Sequence, residues 1–127
     1  MGMYAKDPWG KLGMLHDAIF RAVRLVVDTG MHAKGWSREQ AIKFYMDTIG
    51  DSEASTVTEI ERYCVSPGQA CSYMVGKMTW LRLRAAAKAK LGTKFDIRGF
   101  HDAGLLSGSM PLEVLERRIN EWVASQG

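Results

Sequence analysis

The chain has 127 residues, 46% hydrophobic and 24% charged, with a formal net charge of +3. That balance suits a soluble globular protein of one domain with a real core, and it excludes intrinsic disorder. No apolar run approaches the roughly 18 residues of a membrane span, no signal-peptide hydrophobic region opens the chain, and Lys6 stands where a myristoylation signal wants Ser or Thr.

The expected elements are all helical. Asp7-Pro8 reads as an N-cap followed by proline at the first helical position. The helix it opens, with a break possible near Gly10–Gly13, is expected to run to about Thr29 and to stop at Gly30. Ser37-Arg-Glu-Gln40 is a capping box for a second helix that ends at Ile49, before Gly50. Asp51 or Ser52 caps a third, through Glu61 to about Val65. Ser66-Pro-Gly-Gln69 reads as a second capping box, opening the longest helix as far as Leu91-Gly92. Asp96 caps a short helix through His101 and Leu105, closed by Gly108. Ser109-Met-Pro111 opens the last, whose apolar face is Leu112, Leu115, Ile119, Trp122 and Val123. No segment sustains strand alternation. The fold expected is all-α, a bundle of about six helices over residues 1–127.

Charge and cysteine use narrow the partners. The densest basic stretch, Lys77 to Lys94, is mixed with Leu, Trp and Ala at helical spacing and reads as a solvated face, so no nucleic acid is expected. Cys64 and Cys71 lack the paired spacing of a zinc knuckle or redox motif; two buried, reduced thiols and a cytoplasmic location are expected.

The first helix departs from the ordinary pattern. Asp17, Arg21, Arg24 and Asp28, spaced 4, 3 and 4, fall within about 60° on a helical wheel. Every position between Asp17 and Asp28 outside that stripe is apolar. The stripe is either a thin solvated face laced by Asp17–Arg21 and Arg24–Asp28 pairs, or the charged wall of a cleft, where two arginines can clamp a carboxylate and Asp28 can orient a neighbouring Arg or His. His32 is placed in a loop just past the helix stop. In the fourth helix Gln69, Tyr73, Gly76 and Trp80 again follow 4, 3 and 4. Gly76 and Trp80 there suit close helix packing, and Tyr73, with its polar tip, suits a site. No HExxH and no His pair at i, i+4 occur, so the residues themselves show no zinc site and no nucleophile–base motif.

The run Arg21-Ala-Val-Arg-Leu-Val-Val-Asp-Thr-Gly-Met-His32 and onward to Ile42 closely resembles the C-terminal region of domain-of-unknown-function family 885, a large bacterial family of metallopeptidase-like proteins. The resemblance continues through Glu61-Arg-Tyr63, Pro67-Gly-Gln-Ala70, Tyr73, Gly76, Phe95–Asp102 and Pro111–Leu115. It departs at Cys64-Val65-Ser66, where a bulkier residue is expected before Pro67.

The resemblance implies a helical, gluzincin-type zinc peptidase in full-length members, with HExxH and a downstream glutamate lying outside the region matched. Zinc is thus implied for those members and no cofactor for this chain. It also implies that Arg21, Arg24, Asp28, His32, Gln69 and Tyr73 face a peptide substrate, with a His or Tyr donor for the oxyanion. On this reading the chain is a substrate-facing wall, inactive alone, that either self-associates as a homo-oligomer or packs against an N-terminal part. The alternatives are a stand-alone helical interaction module and one chain of a two-chain peptidase.

Overall fold

A computed structural model describes residues 2–127. Among the described residues there are six α-helices: α1 (Pro8–Lys34), α2 (Arg38–Ile49), α3 (Glu53–Val65), α4 (Ser72–Leu91), α5 (Ile97–Leu105) and α6 (Leu112–Ser125). Short 3-10 turns lie at Gln69–Cys71 and Gly92–Lys94. Among the described residues there is no strand. They divide into two compact units, one reaching Val75 and one from Gly76 to Gly127.

Most helix starts follow the side-chain chemistry of the sequence. The Asp7 carboxylate accepts from the Gly10 N–H at 2.8 Å, and α1 then runs unbroken through Gly10 and Gly13. At Ser37 the capping box is complete: Gln40 N–H donates to Ser37 Oγ at 3.1 Å, and Ser37 N–H to Gln40 Oε1 at 2.9 Å. Ser52 rather than Asp51 caps α3, and Asp96 accepts from the N–H groups of Arg98 and Gly99. Each satisfies backbone donors that would otherwise have no partner.

Two helix boundaries differ from expectation. Gly30 does not stop α1. The helix continues to Lys34 and ends at Gly35, whose φ of 67° only glycine adopts without strain. Gly30 is glycine for a different reason: a Cβ there would lie 2.6 Å from the Trp36 ring, which folds back onto the helix. His32 is therefore helical, one turn beyond Asp28, and not in a loop. At Ser66–Gln69 the second capping box does not form. Ser66 terminates α3, Gly68 takes a φ of 79°, and α4 starts only at Ser72. A tertiary bond to the Gly68 N–H, described below, holds that turn.

In the first unit Val23, Val27, Ala41, Tyr45, Ile60, Tyr63 and Ala70 form the core, with Phe20, Met31, Trp36 and Phe44 packed around it. In the second the core is Leu83, Ala87, Phe100, Leu115, Ile119 and Val123. Trp80 and Phe100 meet edge-on at 5.6 Å there, and Phe95 and Trp122 complete the aromatic cluster. Gly104 lets the Trp80 ring lie directly on the α5 backbone. Gly76 has no such role, since a Cβ there would meet nothing within 4 Å. The expected apolar face of α6 is the buried one, with Leu112 and Trp122 at its margin. The thiols are not both buried: Cys64 is exposed and Cys71 half-buried, both unpaired. Among the described residues no helix is long and apolar enough to cross a membrane.

Candidate functional site

The charged stripe of α1 turns inward. Arg24 is 6% and Asp28 2% exposed, as deeply placed as Val23 and Val27 beside them. A buried ion needs partners, and α3 supplies Glu59. Arg24 Nη2 donates to Glu59 Oε2 at 2.7 Å, the Tyr63 hydroxyl donates to the same oxygen at 2.8 Å, and Arg62 Nη1 lies 3.5 Å from it. Burial opposes the Glu59 charge, but the donated bonds from Arg24 and Tyr63 and the positive charges of Arg24 and Arg62 outweigh it, so its carboxyl is held below the usual range. Burial likewise opposes the Arg24 charge, and Glu59 again outweighs it and raises Arg24 further. For Tyr63, burial comes first and the neighbouring Glu59 adds to it; both push the phenol up and keep it neutral. Burial does the same to Tyr45. Arg24 Nε and the Tyr45 hydroxyl are buried without a protein hydrogen-bond partner.

Aromatic rings enclose the two arginines. The Arg24 guanidinium carbon lies 4.3 Å from the Phe20 ring centre and 5.3 Å from that of Tyr73. The corresponding distances for Arg21 are 4.8 and 5.0 Å. These are cation–π distances, strengthened where water is excluded.

Asp28 is the second node. Both of its oxygens accept from the Gly68 N–H at 3.0 Å, which ties the Ser66–Gly68 turn to α1 across 40 residues of sequence. His32 Nδ1 lies 3.1 Å from Asp28 Oδ1 and 2.9 Å from the Asp28 carbonyl oxygen. Both neighbours are acceptors, so Nδ1 carries the hydrogen and Nε2 is the ring atom left to meet anything else. Burial, and after it the negative charge of Asp28, raises the Cys71 thiol.

The six residues expected at the site therefore lie within the first unit in two clusters, one around Glu59 and one around Asp28. Arg21, Arg24 and Tyr73 meet through their stacked faces. Asp28 and His32 meet directly. Gln69 reaches the Glu59 cluster through Arg62, whose Nη2 donates to Gln69 Oε1. Of the two ion pairs expected along α1, Asp17–Arg21 forms at 3.0 Å. Arg24–Asp28 does not, because each is taken by a partner from elsewhere: Glu59 for one, the Gly68 N–H for the other.

The six divide by depth. Arg24 and Asp28 are the buried base, whereas Arg21 is half-buried and Gln69, Tyr73 and His32 reach solvent. Glu59, the hub, escapes a reading of α1 and α4 alone. A signal for it does exist, since Thr56, Glu59, Ile60 and Tyr63 follow the i, i+3, i+4, i+7 spacing of an inward face.

A catalytic zinc takes three protein ligands and a structural one four. Among the described residues no group of three or more His, Cys, Asp or Glu side chains could hold a metal ion. The residues present thus do not by themselves fit the zinc that the resemblance implies for longer proteins.

Comparison with solved structures finds a protein from Colwellia psychrerythraea, described as a "putative lipoprotein", at a TM-score of 0.95 and 52% identity. The match covers 98% of this chain and 21% of that one, so the chain spans about a fifth of the relative's length. Comparison with curated proteins returns no match. The family described as bacterial protein of unknown function, DUF885, matches residues 1–119, and the chain belongs to that family.

Proposed function

We propose that this chain is the C-terminal, substrate-facing helical wall of a larger metallopeptidase-like protein. The observation that carries the reading is the depth ordering just described: half-buried Arg21 and exposed Tyr73, Gln69 and His32 stand over a buried ionic base. Such a rim suits a peptide carboxylate or carbonyl. Arg21 offers a two-pronged donor to a carboxylate, Tyr73 a hydroxyl, and His32, in its imidazolium form, an Nε2–H. Arg24 is the positioning member, because Glu59 already holds it. The zinc and HExxH would come from other polypeptide, and no hydrolytic step runs through this chain alone. The unpaired Cys64 and Cys71 support a reducing compartment such as the cytoplasm.

The test is a titration of the labelled chain with an N-acetylated peptide bearing a free C-terminal carboxylate, followed by NMR. Shift changes should gather at Arg21, His32, Gln69 and Tyr73, and Arg21→Ala should weaken binding at least about fivefold, the effect of losing a charge-assisted bond. The chain alone should hydrolyse no peptide and hold no stoichiometric zinc after dialysis. Shifts confined to α5 and α6, or none at all, would overturn the reading.

A further inference from the structure

Leu12, Leu15, Ile19, Ala22 and Val26 on α1 are spaced 3, 4, 3 and 4 residues apart. That is the a/d repeat of a coiled-coil seam. On a helical wheel they fall within about 80°, beside the face that carries Val23 and Val27 into the core. The seam is open: Leu12 is 56%, Leu15 51%, Ile19 41% and Val26 42% exposed. Nothing from Pro8 to Asp17 is buried, although the stretch also carries Trp9 and Met14. The first turns of α1 thus keep an apolar stripe with no protein on it.

We propose that the outer face of α1 is a docking seam for an amphipathic helix belonging to further polypeptide, of the kind that makes up the other four-fifths or so of the Colwellia relative. Three observations select that occupant. First, the repeat matches a helix and not a strand or an extended peptide, because only a helix of like period keeps contact over successive turns. Second, the positions flanking the seam are Lys11, His16, Ala18, Val23 and Leu25, and the His16 ring already faces Asp51 at 3.3 Å. The flanks therefore lack the alternating charges by which two separate chains select each other's register. Third, the seam is small. From Leu12 to Val26 it is roughly 21 Å long and about 10 Å wide, on the order of 200 Å², against about 800 Å² per partner in a stable complex of separate proteins. A helix joined to the same polypeptide needs far less area, because its effective concentration is already high. The same fold is embedded in a much longer chain in the relative, which supplies such polypeptide. This inference rests on the α1 surface and the length of the relative, and not on the peptide-facing reading.

The experiment places one substitution in two settings. In this chain Ile19→Lys and Leu15→Lys change exposed side chains, so melting temperature and helicity should stay as they were, with a monomer by sedimentation at micromolar concentration. At the matched positions of the intact Colwellia protein, lysine should lower the melting temperature by several degrees, because there it would be buried under a partner helix. Leu106→Lys, at an 81% exposed position, serves as the control and should be silent in this chain and at its match. Seam substitutions that are silent in both proteins would overturn the proposal. So would a dimer of this chain that Ile19→Lys dissociates, since a second copy would then be the occupant.

Discussion

In the first unit the side chains shut away from solvent include Arg24, Asp28 and Thr56 alongside Val23, Val27, Tyr45, Ile60 and Tyr63, whereas in the second they are Leu83, Ala87, Phe100, Leu115, Ile119 and Val123. Both units are helical and of modest size, so the difference is one of chemistry. The second is held by apolar burial, which is non-directional and tolerates exchange of like volumes, together with aromatic edge contacts. The first places the Arg24 guanidinium, the Glu59 carboxylate and the Tyr63 phenol where each depends on the position of the others, and ties Asp28 to the Gly68 N–H. Replacing a buried ion pair with apolar side chains is often neutral or stabilising. A core of that kind therefore adds little to stability, and what it supplies is fixed geometry. That is why the candidate site is assigned to the first unit.

The largest effect expected is in the apolar unit. Phe100→Ala removes the ring that Trp80, Phe95 and Trp122 all touch, and should cost about 4 kcal/mol by the usual price of a large core cavity. Denaturant unfolding measures it, while the Arg21 and Tyr73 resonances should not move. A cost near zero would mean that the aromatic cluster is loosely packed.

Next is Glu59→Ala, which leaves Arg24 buried and unpaired and should destabilise the protein by about 3 kcal/mol. The double variant Arg24→Leu with Glu59→Leu should recover most of that loss while disturbing His32 and Tyr73. If the single variant were as stable as the parent, the ionic base would not be a base at all.

Acid should then discriminate the two units more gently. Glu59 has a carboxyl held below its ordinary value of 4.5, so the stability it contributes is present above that pH and drains away as pH falls through the lowered value. Tyr63 is raised above its ordinary 10.0, so its contribution is present below pH 10 and is lost as pH rises through the raised value. Melting temperature followed from pH 3 to 8 should thus fall at the acid end, and Glu59→Gln should flatten that fall. An unchanged acid slope in the variant would show that other carboxylates carry it.

The smallest effect belongs to Arg82→Ala. Arg82 and Glu116 make a two-pronged pair at 2.7 Å on the exposed side of the second unit. Solvent screens such pairs, and the stability of the variant should be indistinguishable from the parent by the same denaturant assay. A measurable loss would place a strong ionic contribution in the unit described here as apolar.

The sequence by itself determined what depends on neighbours a few residues away. The caps at Asp7, Ser37 and Asp96, the apolar faces of α1 and α6, and the absence of strands among the described residues are local, because a backbone N–H is satisfied by a side chain two or three positions off and a face is set by the 3.6-residue period. The six candidate residues follow from the two helical stripes and from the family resemblance. Tertiary structure decided everything in which a local preference had a distant competitor. Gly30 could stop a helix, but Trp36 needs its bare backbone. Ser66 and Gln69 could box a helix start, but Asp28, 40 residues away from Gly68, takes the Gly68 N–H and holds the chain in a turn. Arg24 could pair with Asp28 one turn on, but Glu59 offers it a better-placed oxygen on another helix. In the last two cases the distant partner offers a bond away from bulk solvent, where it counts for more than at the surface. Spacing along the chain shows which side chains share a face, and only the packed fold shows which element that face meets.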